Sequence, residues 1–142
     1  MSSVSIDNPV APLSEEECWA RLRSQEIGRL GYRLVDEIHV VPVNYVVVDS
    51  RPAIRTDAGN KLLSAALEYE VALEIDGWGE ELGWSVLLRG RAHIVGEARA
   101  EQYAELEQVP WVPSPKWDVI EIEPAVVTGR EVFLTKGRVP SA

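Results

Sequence analysis

Residues 42–61 read Pro-Val-Asn-Tyr-Val-Val-Val-Asp-Ser-Arg-Pro-Ala-Ile-Arg-Thr-Asp-Ala-Gly-Asn-Lys. Two runs rich in Val and Ile flank Asp49-Ser50-Arg51-Pro52, a cluster that favours chain reversal. The stretch therefore predicts a strand, a tight turn and a second strand. The second strand runs out in Arg55-Thr56-Asp57-Ala58-Gly59-Asn60-Lys61, after which Leu62 to Glu68 reads as a helix. Two cations, a hydroxyl and a flexible Gly ahead of a helix start make the layout of an anion site, because unpaired N–H groups, the helix dipole and nearby Arg and Lys all favour bound phosphate. The same residues also fit a plain helix start, with Asp57 or Asn60 as the cap and Arg55 and Lys61 in water. Local pattern leaves both readings open.

Upstream, the run from Ile38 to Val48 is almost wholly apolar. That pattern implies burial on both faces, as in a barrel strand whose outer face meets another subunit. Period-2 counting puts Pro42, Asn44 and Val46 on one face and His39, Val41, Val43 and Tyr45 on the other. Pro42 cannot donate to a ladder and marks a bulge or an unpaired edge. A buried Asn44 needs partners, which are either backbone groups or the polar edge of a cofactor ring. Ile27 to Tyr32 reads as a strand with two Gly. Ser14-Glu15-Glu16-Glu17 fits a capping box, with Leu13 and Cys18 as its hydrophobic staple and Cys18, Trp19 and Leu22 on one helix face. Residues 1–12 read as a mobile or loosely docked arm.

Downstream, Val71 to Asp76 alternates as a strand, and Gly77 to Gly83 reads as a Gly-rich acidic connection. A long strand over Trp84 to Val95 puts Trp84, Val86, Leu88, Gly90, Ala92 and Ile94 on the core face, and Arg89, Arg91 and His93 on a solvated or interfacial one. Glu97 to Gln108 reads as an exposed helix. The segment Val109 to Trp117, with three Pro and two Trp, is stiff and extended, and either caps its own core or reaches a neighbouring subunit. Trp117 to Ile122 and Val126 to Leu134 close the chain as strands around Pro124.

The 142 residues, 46% hydrophobic, suffice for one domain with a real core. A net charge of -9 and a pI near 4.7 oppose binding to nucleic acid or to anionic lipid. The single cysteine, Cys18, leaves no internal disulfide and no metal-ligand spacing, which suits a reducing cytoplasm. No segment has the roughly 18 uninterrupted apolar residues of a membrane span, so a cytoplasmic protein is expected. His39 and His93 lack metal-ligand companions, and no nucleophile elbow or triad signature is present. Protein-only catalysis therefore finds little support, whereas a cofactor that brings its own chemistry needs few catalytic side chains.

The Pro-Val-Asn-Tyr strand, Arg55-Thr56 followed by Gly59-Asn60-Lys61-Leu62, then Gly83-Trp84-Ser85-Val86, Gly90-Arg91-Ala92 and Val127-Thr128-Gly129-Arg130 occur in an order that resembles the pyridoxamine 5′-phosphate oxidase-like, flavin-binding split-barrel family, over Leu13 to Leu134. The resemblance implies a mainly β fold: a six-stranded antiparallel split barrel of Greek-key topology with a few short helices. It implies one domain over residues 13–136, between the arm and a tail at 137–142, and a homodimer. The cofactor implied is FMN. Its phosphate would lie at Arg55, Thr56, Gly59, Asn60 and Lys61, and its ring along Pro42, Val43 and Asn44, with Gly83, Trp84 and Ser85 touching it as well. Trp111, Trp117 and Arg130, from the partner chain, would line the pocket of a small-molecule substrate for hydride transfer. Alternatives within the resemblance are a reductase using the deazaflavin F420 and a dimer that binds flavin or another small molecule without turnover. The closing strand offers Thr128-Gly129-Arg130-Glu131 and no Arg-x-His element, so vitamin B6 oxidation does not carry over.

Overall fold

The computed structural model describes residues 4–57, 70–104 and 117–135. Along them run β1 (Val10–Pro12), α1 (Glu15–Ser24), β2 (Ile27–Leu34), β3 (Glu37–Val48), β4 (Arg51–Asp57), β5 (Glu70–Trp78), β6 (Leu82–Ile94), α2 (Glu97–Ala104) and β7 (Trp117–Phe133). The helix read at Leu62 to Glu68 and most of the proline-rich segment lie outside the described residues.

All strand pairs are antiparallel, in the order β1-β7-β4-β3-β2-β5-β6, and β6 pairs back onto β7. Strands β2 to β7 therefore close a six-stranded barrel, as the family resemblance implies, while β1 adds to β7 through Val10↔Val132 and Pro12↔Arg130. The arm is thus docked: Val4 is buried and Phe133 N donates to the Pro9 carbonyl at 2.7 Å. Two meanders, β2-β3-β4 and β5-β6-β7, join by pairing β5 to β2 and β7 to β4, a Greek-key crossing.

Among the described residues the barrel is split between β3 and β4. The β3–β4 ladder runs only from Val48↔Arg51 to Tyr45↔Ile54. Beyond it, β4 stays with β7 as far as Asp57↔Trp117, and β3 stays with β2 from Asn44 to Glu37. Pro42 lies in the parted segment and faces Arg29 in an unbroken ladder, so its missing N–H falls on an edge and not at a bulge.

Alternation fills the interior. Leu30, Leu73, Leu88, Val86, Ile54 and Ile122 are buried and pack together, and fully burying each such side chain contributes about 1.5–3 kcal/mol. Helix α1 closes one end. Ser14 and Glu17 form the capping box, Cys18 and Leu22 sit in the core, and the Tyr45 hydroxyl donates to the Leu22 carbonyl at 2.6 Å. A side chain at Gly129 would collide with Cys18 Sγ and Leu13, so this Gly lets α1 approach.

Three local readings are corrected. The connection expected at 77–83 is mostly strand, leaving a loop of only 79–81. Gly77 faces Trp84 and Gly83 faces Trp78 across the hairpin, each ring lying where the glycine has no side chain. Strand β7 runs unbroken through Pro124, because a bulge at Ala125 absorbs the missing donor: Arg89 pairs with Val126 and Gly90 with Pro124. Helix α2 is not exposed all round, since Tyr103 is buried against Ala53 and Val119.

Candidate functional site

Where β3 leaves β4, Asn44 and Arg55 are the first positions past the end of the ladder. Two residues singled out in the sequence therefore stand at the mouth of the split. On the β3 lip, Pro42 is exposed, and Val43 and Asn44 are half-buried. On the β4 lip, the Arg55 Nε is buried, and burial pulls its pKa below the usual guanidinium value. Thr56 follows on β4, opposite Asp118. Gly59, Asn60 and Lys61, the rest of the expected phosphate set, lie outside the described residues, as does Trp111. Trp117 begins β7.

A second group lies on the outer face of β5, β6 and β7. Ser85 pairs with Arg130 on one side and Asp76 on the other. Ser85 and Arg130 line a cleft of ≈ 420 Å³ with Glu74, Leu87, Thr128 and Gly129. Of the other expected cofactor contacts, Gly83 is buried under the Trp78 ring. Trp84 packs on the core with the Arg21 guanidinium 4.7 Å from its ring centre, which makes it a wall.

Sequence reasoning missed the charges beside this cleft. Arg29 donates to Glu74 through Nε at 2.9 Å and Nη2 at 2.6 Å, and Nη2 also lies 2.6 Å from Asp76. Burial, then the neighbouring Asp76, pushes the Glu74 carboxyl above its ordinary pKa despite the arginine. Period-2 counting along Val71 to Asp76 puts Glu74 and Asp76 on the outer face, but the ladder that sets Arg29 of β2 opposite them is not visible in the sequence.

Within one chain, Asn44 on β3 and Ser85 on β6 are separated by β2 and β5, about 14 Å at about 4.8 Å per strand. Apolar side chains cover the ground around the first group: Ile27, Ile38 and Val40 are 60%, 73% and 64% exposed. Scattered apolar exposure is ordinary, but these three lie on one face of the neighbouring strands β2 and β3. Cys18 is buried in the core, and burial raises its thiol pKa, the opposite of what a nucleophile needs. Among the described residues no group of His, Cys, Asp and Glu could hold a metal, and no helix is long and apolar enough to cross a membrane.

A family model described as pyridoxamine 5′-phosphate oxidase matches residues 14–131. Among solved structures, the FAD binding protein from Mycobacterium smegmatis is 35% identical, with a TM-score of 0.78 over 88% of this chain and 100% of that one. A conserved protein of unknown function from Corynebacterium diphtheriae is 34% identical, with a TM-score of 0.74 over 89% and 99%. An uncharacterised protein of Mycobacterium tuberculosis is 33% identical over 129 residues, 84% of each chain.

Proposed function

The chain belongs to the pyridoxamine 5′-phosphate oxidase family, and from that premise we propose that it is a homodimeric, cytoplasmic flavoprotein that transfers hydride to or from a small molecule. The observation that carries the reading is the parting of β3 from β4, which leaves an apolar strand edge at Pro42 to Asn44 running up to the partly desolvated Arg55. These residues fit a flavin. The edge is flat and apolar enough for a ring, Asn44 offers an amide to the ring's polar rim, and Arg55 offers a fork of donors to a phosphate. Lys61 and the Thr56 hydroxyl are the further phosphate donors in this reading. The 35% identity to an FAD binding protein supports a flavin, and the mononucleotide portion is what these residues would hold.

When bound, the flavin supplies the redox chemistry. The protein's part is placement, exclusion of water and charge. Pairing two chains through Ile27, Ile38 and Val40 would cover that apolar strip, and the partner's Ser85–Arg130 cleft is the surface that would complete the pocket. Arg130, exposed on β7, would then hold an anionic part of the substrate, and Ser85 would donate to the ring or substrate.

The absorbance spectrum of the protein mixed with FMN, with FAD and with the deazaflavin F420 tests this. A blue-absorbing complex with FMN or FAD is expected, and retention of F420 alone would replace the flavin reading with the deazaflavin one. Replacing Arg55 and Lys61 together by Ala should weaken flavin binding by about 3 kcal/mol or more, since hydrogen bonds to charged groups contribute about 1.5–3 kcal/mol each. Unchanged affinity in that double variant defeats the placement of the phosphate.

A further inference from the structure

We infer that the cavity between the β3–β4 turn and the start of α2 is a second binding site, for a small organic anion carrying a phosphate or carboxylate group. The cavity measures ≈ 610 Å³ and is lined by Arg51, His93, Arg99, Ile94, Gly96 and Glu121, among others. That volume falls in the range of about 300–1,000 Å³ usual for small-molecule sites. It shares no residue with the flavin set, and Arg51 lies four residues, or about 13 Å of strand, from Arg55.

Glu121 divides its neighbours between its two oxygens. The Tyr103 hydroxyl donates to Glu121 Oε1 at 2.6 Å, and Arg99 Nε donates to the same oxygen. Arg51 Nη1 and His93 Nε2 stand 3.5 and 3.6 Å from the other oxygen, Oε2. Those separations are longer than good hydrogen bonds, which fall at about 2.7–3.2 Å. Arg51 and His93 are 41% and 47% exposed. Glu121 thus holds Arg51 by charge with His93 alongside, and both side chains keep capacity for a second partner. Asp49, the remaining carboxylate on the rim, sits in water 3.8 Å from Arg99 and is 77% exposed.

The backbone adds to this. Gly96 has open space where a side chain would stand, so a ligand can come up to the first turn of α2, whose N–H groups have no partner inside the helix. Ile94, 44% exposed, gives the organic part an apolar wall. Arg51 and His93 would grip the anionic head, and the amides after Gly96 would complete its shell.

Amide NMR during titration tests the site, with inorganic phosphate as the minimal head group and phenyl phosphate as head plus apolar body. Both titrations use FMN-saturated protein and are repeated in a Lys61→Ala background, so that the flavin phosphate site is filled in one and disabled in the other. Shifts are expected at Gly96, Glu97 and His93, with phenyl phosphate binding several-fold more tightly than phosphate. Arg51→Ala should weaken binding at least tenfold and His93→Gln several-fold. Arg51→Lys should recover part of the loss, which a merely misfolded variant would not do. Absence of shifts at these positions overturns the inference. So do shifts that persist in the Arg51→Ala, His93→Gln double variant, and so do shifts confined to Thr56 that vanish in the Lys61→Ala background, an outcome that would leave the flavin site as the anion site.

Discussion

Glu121 lies between Ile120 and Ile122, whose side chains fill the barrel, so strand alternation turns its carboxylate outward beneath α2. It is 1% exposed. Burial alone would raise its pKa, but the hydrogen bonds from Tyr103 and Arg99 outweigh that and hold it below the ordinary carboxylate value. In return, burial and this same carboxylate push the Tyr103 phenol up to about 12. A depressed carboxylate stabilises the fold above its unfolded pKa of about 4.3, and that contribution disappears as pH falls through the lower folded value. Glu121→Gln should therefore cost about 3 kcal/mol near pH 7, the low end for a broken buried pair because Arg51 and Arg99 still touch water. In denaturant titrations the gap to the parent protein should close below about pH 4. Glu74 has the opposite sign. Its raised pKa favours the fold below the unfolded value and disfavours it as pH rises through the folded one, so Glu74→Gln should gain on the parent as pH rises from about 4 through the raised folded value. A flat difference across that range would mean that Asp76 and Arg29 do not set the Glu74 proton.

At the scale of elements, the β3–β4 hairpin turns on Asp49 and Ser50, with φ of 53° and 56°. Two positive φ values make the turn whose twist matches the strands, and glycine suits its second position better than serine. Ser50→Gly should raise stability by up to about 1 kcal/mol in chemical denaturation, since a left-handed conformation costs a non-glycine residue about 1–2 kcal/mol. Against that gain stands a long, weak hydrogen bond that the glycine cannot accept, from Arg23 Nη2 to Ser50 Oγ at 3.5 Å.

Much of this level was legible in the sequence. The hairpin, the capping box and the core face of β6 follow from turn chemistry, cap chemistry and period-2 alternation, each of which acts over a few residues. What escaped was set by partners far along the chain. Whether Gly77 and Gly83 make a loop or a strand depends on Trp84 and Trp78 arriving opposite them. Whether Tyr103 is exposed depends on Ala53 and Val119, on two strands that α2 happens to cross. Within the site, Asn44 and Arg55 could be named from the quoted stretch because both belong to one hairpin. Arg29, Glu74 and Glu121 could not, because their roles rest on ladders joining β2 to β5 and β7 to β4.

For the molecule as a whole, the proposed pairing of two copies makes a direct demand on the apolar strip of β2 and β3. Val40→Asp leaves the interior untouched, since Val40 is 64% exposed, yet it would bury an unpaired carboxylate in the joined surface. Sedimentation should find the parent protein as a dimer and the variant as a monomer with a parent-like circular dichroism spectrum. A variant that stays dimeric would move the contact surface elsewhere.

Ring closure by β7 also bears on how this chain can be made. Until Trp117 to Phe133 have left the ribosome, β4 and β6 each carry a row of unsatisfied amides and carbonyls, the kind of edge on which nascent chains stick to one another. The strand that cures both faults is the last of the barrel's strands to be synthesised and pairs with residues as distant as Val10 and Ala53. Closure of the barrel is therefore held back until that strand emerges.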